Sequence, residues 1–206
     1  MRPIHLIAPA QPIGTRAPPS GPDWLHEIKH DGFRIMAWRD GSRVRLFTRN
    51  GNDFGDRYPL AVSAVRALRA RSCLIDGEVT ICDAQGLSVF DLLRHGPRVK
   101  YEAVLFAFDL LELDGRDLTR EPIETRKAEL AKLLRSAPSS LQLVEHLQVE
   151  GAIAYEFVCA LGAEGIVSKR AGSPYVSGRC SAWRKCKNPD APAVRREAEE
   201  DWGRGR

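Results

Sequence analysis

The feature that most constrains the fold of this sequence is a series of short, strand-like segments separated by turn residues. Residues 24–38 and 43–49 flank Arg-Asp-Gly-Ser, and Asp40-Gly41 is a turn signal that predicts a β-hairpin. Further strand-like segments are 73–83 (a strand pair turning at 83–86), 103–111 (a continuous apolar run), 164–170 and 182–188. This pattern predicts a largely antiparallel β protein.

Three segments between these strands predict helices. Residues 57–71 place Leu60, Val65 and Leu68 among arginines, as an amphipathic helix requires. Residues 125–136 carry leucines on one face. Residues 150–161 end at Gly162, a typical C-cap residue. Strands and helices together predict an α+β fold with two sheets in one compact domain.

The two ends of the chain differ in composition from its centre. Residues 1–22 contain six prolines and predict an extended lead-in, with order beginning near Trp24. Residues 23–190 form the predicted domain. Residues 191–206 are charged and poor in core residues, which predicts a frayed or disordered tail.

Composition excludes several classes of protein. With 43% hydrophobic and 28% charged residues, the 206-residue chain can bury a core. No apolar run reaches eighteen residues and the N-terminus does not resemble a signal peptide, so we expect a cytoplasmic protein without a membrane span. The net charge of +4 is compatible with a nucleic-acid partner. Five cysteines without a CxxC pair indicate reduced structural thiols.

Lys29, in EIKHDGFR (27–34), is the first candidate for chemistry. A lysine in a partly buried pocket can lose its proton and act as a nucleophile. Asp31-Gly32 supplies a sharp turn and a close backbone approach. An ordinary strand-to-strand turn with surface charges has the same short KxDG pattern, so the pattern alone leaves both interpretations open.

Two further segments place acidic and aromatic side chains within apolar strands. In LIDGEV (74–79), Asp76 and Glu78 flank a glycine, and buried carboxylates need a partner such as a sugar hydroxyl, a metal or an arginine. A hairpin turn with exposed acids is the alternative. In FAFDLL (106–111), Phe106 and Phe108 share a face on which a base can stack, although core packing is favoured for Phe106 and is an equal alternative for Phe108.

The last two segments contribute a carboxylate and paired lysines. In EGIVSK (164–169), Glu164 is a candidate oxygen ligand for a divalent metal, whereas Lys169 lies on the opposite strand face unless a bulge intervenes. In WRKCK (183–187), Lys185 and Lys187 share a face, and a phosphate between them would relieve their repulsion. A solvated basic edge strand is the alternative interpretation.

In chain order these segments read KxDGxR, RNG, DGE, an aromatic-Asp segment, EGxVxK and KxK. They resemble the nucleotidyltransferase motifs shared by ATP-dependent DNA ligases, RNA ligases and mRNA-capping enzymes. GPDWLHEIKHDGFR and FDLLELDGRDL are most similar to bacterial DNA ligases of the end-joining type, and the resemblance covers roughly residues 20–190. It implies an ATP-grasp-like nucleotidyltransferase fold with two mostly antiparallel sheets flanked by helices.

The resemblance also implies a role for each matching residue. Lys29 would attack the α-phosphate of ATP to form lysyl-AMP, and Glu164 would bind the catalytic Mg²⁺ or Mn²⁺. The other implied contacts are Glu27 at the adenine pocket, Arg34 and Arg49 at the nucleotide and the nick, Glu78 on the ribose, Phe108 stacked on adenine, Lys185 and Lys187 on the α-phosphate, and Lys169 on a phosphate. The AMP would pass to a DNA 5′-phosphate, and a 3′-hydroxyl would then displace it.

The resemblance implies nicked or broken double-stranded DNA as the partner, at the nucleoid of a bacterial cytoplasm. Members of the family usually continue into an OB-fold domain after KxK, whereas about eighteen residues follow Asn188 here. We also expect no DNA-binding domain before Trp24. We therefore expect no OB-fold domain, weak activity of the chain alone, and a separate OB-fold or DNA end-binding protein as partner.

Other functions remain open at this point. A non-catalytic nucleic-acid-binding remnant or a subunit of a split ligase would keep the same motifs. An RNA ligase or a GTP-dependent capping enzyme would use the same lysine nucleophile. Use of NAD is disfavoured, because the sequence has neither an extra N-terminal nicotinamide-binding segment nor a zinc cluster.

Overall fold

The computed structural model describes residues 7–95 and 102–196. Its strands, in chain order, are β1 (Ala10–Gly14), β2 (Trp24–Ile28), β3 (Phe33–Asp40), β4 (Arg43–Thr48), β5 (Ser72–Thr80), β6 (Val104–Leu113), β7 (Arg116–Asp117), β8 (Leu141–Leu143), β9 (His146–Leu147), β10 (Gly165–Arg170) and β11 (Gly178–Lys187). Its helices are α1 (Pro59–Ala67), α2 (Phe90–His95), α3 (Ile123–Leu134) and α4 (Gly151–Ala160). Residues 192–196 add a short helical turn.

The strands form two sheets. The first has the order β1-β11-β10-β2-β9 and is antiparallel except for the parallel β1–β11 pair. The second has the order β4-β3-β5-β6-β7, with β8 parallel to β6. The predicted α+β fold with two mostly antiparallel sheets is therefore confirmed.

Successive side chains of each strand point to opposite faces, and this alternation builds separate apolar clusters. On β3, Ile35 belongs to the cluster between the second sheet and helices α1 and α3. Its neighbour Met36 belongs to the cluster between the two sheets, which also contains Phe108 and Trp183. Helix α4 covers the outer face of the first sheet through Ala154 and Val158. Burial of each large apolar side chain stabilises the fold by about 1.5–3 kcal/mol.

The three predicted helices correspond to α1, α3 and α4, with ends that differ by a few residues. The C-cap of α4 is Leu161, one residue before the predicted Gly162. Gly162 has a φ of 82° and donates its N–H to the Cys159 carbonyl at 2.9 Å, so it ends the helix in the left-handed conformation. Val65 on α1 and Leu68 at its C-cap are buried, as predicted. Leu60 was assigned wrongly to the apolar face, because it is 37% exposed.

The β3–β4 hairpin was predicted correctly, whereas the predictions for residues 24–38 and 73–83 were wrong. Asp40 pairs with Arg43 across the turn that joins β3 to β4. Residues 24–38 are not one strand, because β2 joins the first sheet and β3 the second. The strand pair predicted at 73–83 is the single strand β5, and the turn at 83–86 closes only an isolated bridge between Cys82 and Ser88.

Both ends contribute more to the fold than their composition indicated. Order does not begin near Trp24, since β1 pairs with β11 and Ala10 is buried. The first residues of the predicted tail are not poor in core contacts either, because Ala191 and Ala193 are buried. Residues 1–6 of the lead-in and 197–206 of the tail lie outside the described residues.

The cysteines, the membrane-spanning potential and the presence of a barrel were each considered in the sequence. The five cysteines all lie in the described part of the chain and are free thiols, as predicted. Within residues 7–95 and 102–196, no helix is long and apolar enough to cross a membrane. The strands of those same residues form two open sheets, with no OB-fold barrel among them.

Candidate active site

The connection between β2 and β3, residues 29–32, carries Lys29 into a cleft between the two sheets. The Lys29 backbone N–H donates to the Gly165 carbonyl of the first sheet at 2.9 Å. Gly32 approaches the second sheet so closely that a Cβ atom would lie 2.2 Å from the Val79 carbonyl oxygen. Both sheets therefore hold the backbone of this connection, and only glycine fits at its end.

The Lys29 side chain is paired with Glu164. Lys29 Nζ donates to Glu164 Oε2, and the exposed fractions of the two side chains are 22% and 2%. Glu164 immediately precedes β10, which begins with Gly165 at a φ of 138°, where a Cβ atom would lie 2.1 Å from the Cys186 carbonyl oxygen. Two motifs that are 135 residues apart in sequence thus meet at one ion pair.

His30 supports the nucleophile connection and was not selected from the sequence. Its ring stacks on Phe106 with a centroid separation of 4.1 Å, and its Nδ1 lies 3.2 Å from Ser88 Oγ. Burial lowers the pKa of His30 to about 4, so the ring is neutral at physiological pH. Phe106 is half-buried and packs on this histidine in addition to the core.

A buried charge cluster forms the floor of the cleft. The Glu27 carboxylate accepts hydrogen bonds from Lys127 Nζ at 2.6 Å and Lys169 Nζ at 2.7 Å. Burial alone would raise the pKa of Glu27, but the ammonium groups of Lys169 and Lys127 hold it below its ordinary value. Lys127 was not selected from the sequence, because nothing in the periodicity of α3 marks it as buried.

Lys169 lies on the cleft face of β10, together with Val167. Its Nζ is 4.2 Å from the Trp183 ring centroid and 4.5 Å from that of Phe108, and burial lowers the pKa of Lys169. The expectation that it faces away was therefore wrong. No bulge interrupts β10; instead, Glu164 reaches Lys29 from the residue before the strand begins.

Arg34 lies at the back of the cleft and forms an ion pair with Asp76. Two hydrogen bonds of 2.6 and 2.7 Å join its guanidinium to that carboxylate, which also accepts from the Tyr175 hydroxyl at 2.6 Å. The same guanidinium lies 4.5 Å from the Phe108 ring centroid. Asp76 is fully buried within β5, so the alternative of a hairpin turn with exposed acids was wrong.

Glu78 lies opposite Arg34 across the β3–β5 pair and lines the cleft. Burial raises the pKa of Glu78 to about 7, although Arg34 and Lys29 oppose the shift. Arg49 is exposed after β4 and lines the adjoining groove with Glu78, Arg34 and Thr48. The groove thus continues from the cleft onto the surface of the second sheet.

Lys185 and Lys187 lie on β11, on the opposite face from the buried Cys186. Lys185 pairs with Val167 of β10 and lines the cleft, whereas Lys187 pairs with Gly165, beside Glu164. Strand β11 lies between β1 and β10. The alternative interpretation of a basic edge strand was therefore wrong.

The sequence matches known ligases over most of its length. A family model described as ATP dependent DNA ligase domain matches residues 15–187. The chain is 34% identical over 184 residues to the multifunctional non-homologous end joining protein LigD of Pseudomonas aeruginosa. That match covers 88% of this chain and 22% of the relative, so the chain spans about a fifth of the relative's length.

Two solved structures have the same fold. A mycobacterial DNA ligase D complexed with ATP and MES is 29% identical, with a TM-score of 0.77. The ligase domain of LigD from Mycobacterium tuberculosis is 30% identical, with a TM-score of 0.75. Each match covers 88% of this chain and 60% of the solved chain. The fold expected from the sequence motifs is therefore confirmed.

Proposed function

The chain belongs to the ATP-dependent DNA ligase domain family, and we propose that it is a ligase adenylation domain of the bacterial end-joining type that forms lysyl-AMP on Lys29. The observation that carries the proposal is the pairing of Lys29 Nζ with Glu164 Oε2, beside a cleft that Lys29 lines together with Glu27, Arg34, Glu78, Lys169 and Lys185. A mycobacterial relative complexed with ATP supports ATP as the nucleotide.

We place the adenosine of ATP in the interior of this cleft. Phe108 and Val167 line it and supply apolar walls against which adenine can stack. Glu27, held between two lysines, defines the floor beneath the base. Glu78 is the carboxylate that accepts a hydrogen bond from the ribose. Lys169 lies between Glu27 on the floor of the cleft and the aromatic ring of Trp183.

The triphosphate then extends toward Lys29 and the β11 lysines. Lys29 Nζ forms a bond to the α-phosphorus as the bond from that phosphorus to the pyrophosphate oxygen breaks, so AMP remains on the lysine. Lys29 loses two protons in this step. Its ammonium group, which donates a hydrogen bond to Glu164 Oε2, gives up one proton before the attack, and the nitrogen gives up the second to solvent as the N–P bond forms. Lys185 and Lys187 offset the negative charge on the phosphate oxygens.

A divalent cation, Mg²⁺ or Mn²⁺, fits the same end of the cleft. Among the described residues, no group of three or more histidine, cysteine or acidic side chains is placed to hold a metal. Mg²⁺ needs only one or two carboxylates when water and substrate phosphates complete its shell, so Glu164 suffices as the protein ligand. When bound, the cation supplies positive charge at the reacting phosphate.

We propose nicked or broken double-stranded DNA as the acceptor of the adenylyl group. A relative named for end joining and the positive net charge support this choice. Arg49 and Arg34 line the groove beside Glu78, where we place the DNA 5′-phosphate. A separate OB-fold or DNA end-binding protein would complete sealing, and we place the protein at the nucleoid in the bacterial cytoplasm.

Intact mass measurement tests the proposal. The full chain is incubated with ATP and Mg²⁺, and we expect one added AMP, which Lys29→Ala abolishes. Lys132→Ala is the matched control, because this lysine is 63% exposed on α3, and it should label like the wild type. Parallel reactions with GTP and NAD should give no adduct.

A nicked duplex added to the adenylylated protein tests the second step. We expect the adduct to disappear as AMP passes to the 5′-phosphate. Absence of any adduct on the wild-type chain, with nick binding unchanged in Lys29→Ala, would overturn the catalytic proposal in favour of a binding protein. Faster discharge on nicked RNA than on nicked DNA would indicate an RNA ligase.

A further inference from the structure

The segment that follows β11 folds back onto the nucleophile connection. We call residues 188–196 the strap; they lie beyond the match to the family model, which ends at 187. Its first residue, Asn188, donates its backbone N–H to the Glu164 carbonyl at 2.9 Å and its side-chain amide to the Ala163 carbonyl at 3.1 Å. Ala191 and Ala193 are buried. The strap is therefore anchored beside the partner of Lys29.

The far end of the strap reaches Asp31 through Arg196. Arg196 Nη2 donates to Asp31 Oδ2 at 2.6 Å, and the two side chains are 23% and 14% exposed. The same guanidinium lies 4.6 Å from the Phe90 ring centroid on α2. A charge-assisted hydrogen bond and a cation–π contact thus fix one guanidinium against two other segments.

A cavity of about 230 Å³ lies on this side of Lys29, bordered by Lys29, His30, Asp31, Phe90, Glu164 and Arg196. Its volume is many times the roughly 10–15 Å³ that one water molecule needs, so the nucleophile connection is not tightly packed by protein on this side. The connection is held by His30, through Ser88, and by Asp31, whose carboxylate accepts from Arg196 and whose carbonyl accepts from Thr80 Oγ1 at 2.9 Å. Removal of the Arg196 contact would release the Asp31 carboxylate on the cavity side and leave the Thr80 hydrogen bond to hold the Asp31 backbone.

We propose that Arg196 is a positioning residue for adenylylation, and that the strap couples the end of the domain to the nucleophile. This inference rests on the proposed function. Arg196 acts through Asp31, two residues from Lys29, and keeps the amine aligned with the α-phosphate. Misplacement of a reacting group by about 1 Å can cost on the order of 100-fold in rate. The adenosine cleft is built by other residues, so ATP binding should depend little on the strap.

The test compares two adjacent arginines of the same helical turn in the full chain. We expect Arg196→Gln to slow lysyl-AMP formation at saturating ATP by about 10- to 100-fold, with less than about twofold change in the ATP concentration for half-maximal rate. Arg195→Gln is the matched control, because Arg195 is 65% exposed and contacts Asp190 rather than Asp31. Its rate should stay within about twofold of the wild type.

Two further measurements separate positioning from loss of structure. Arg196→Lys keeps the charge and should recover most of the rate. Amide hydrogen exchange of residues 29–32 should be faster in Arg196→Gln than in Arg195→Gln, while β6 amides stay protected in both. Equal rates and equal exchange in the two glutamine variants would overturn the inference and leave the proposed function intact. A wild-type chain that forms no lysyl-AMP would overturn both.

Discussion

Replacement of Glu78 by glutamine is expected to stabilise the protein while removing a proposed ribose contact. Glu78 lies on β5 in the cleft, where burial raises its pKa to about 7 from an ordinary value of 4.5, against the opposing effect of Arg34 and Lys29. Glutamine keeps the shape of the protonated acid and carries no charge to desolvate. The substitution therefore isolates the cost of placing a carboxylate at this position.

The sign of the effect follows from the raised pKa. The folded protein binds the Glu78 proton more tightly than the unfolded chain does, so the associated stability is fully present below pH 4.5 and is lost as pH rises through 7. The full shift corresponds to about 3 kcal/mol, at about 1.36 kcal/mol per pH unit. Because Glu78 is only partly buried and solvent screens its charge, we expect about 1–2 kcal/mol.

Urea denaturation, followed by tryptophan fluorescence, measures this difference at pH 4.5 and pH 8. The free energy of unfolding of Glu78→Gln should exceed that of the wild type by about 1–2 kcal/mol at pH 8 and by a few tenths at pH 4.5. Glu129→Gln, which removes a surface carboxylate paired with Lys132, is the control. A difference that does not change with pH, or a glutamine variant less stable at pH 8, would refute the reasoning.

Three further predictions concern the connection, the buried ion pairs and the metal. Gly32→Ala should lower the free energy of unfolding by about 2–4 kcal/mol in urea, because its Cβ would meet the Val79 carbonyl at 2.2 Å; Gly14→Ala, whose nearest neighbour is 3.9 Å away, should change it by less than about 1 kcal/mol. Arg126→Met should cost about 3–5 kcal/mol by the same assay, because it leaves the fully buried Asp109 without its guanidinium partner. EDTA should abolish the AMP mass increment, and added Mg²⁺ or Mn²⁺ should restore it, without a change in far-UV circular dichroism.

Several charged side chains that line the cleft lower the stability of the folded protein, because their burial removes them from water. Lys169 and Glu27 are buried charges, and Glu78 carries a raised pKa in the same space. Ion pairing offsets the cost of burying Lys169 and Glu27, since the Glu27 carboxylate lies between the ammonium groups of Lys127 and Lys169. A bound nucleotide would bring further hydrogen bonds to Glu78, so we expect ATP to raise the midpoint of thermal unfolding.

Much of the architecture could be predicted from local patterns. The continuous apolar run in 103–111 and the turn at Asp40-Gly41 identified β6 and the β3–β4 hairpin, because an apolar run and turn geometry are properties of neighbouring residues. The motif order selected Lys29 and Glu164, and close packing against Val79 accounts for the glycine at position 32. The roles of these residues stay predictions until labelling is measured.

By itself, then, the sequence determined most of the strands, the helices α1, α3 and α4 and the set of candidate groups, since each depends on residues close together in the chain. It missed β1, α2 and the short strands β7, β8 and β9. Tertiary structure alone decided which charges meet. Lys127 reaches Glu27 across 100 residues, Tyr175 reaches Asp76 across 99, and Arg196 reaches Asp31 across 165. Burial and ion pairing depend on what packs around a group, and local periodicity carries no information about partners so distant in sequence.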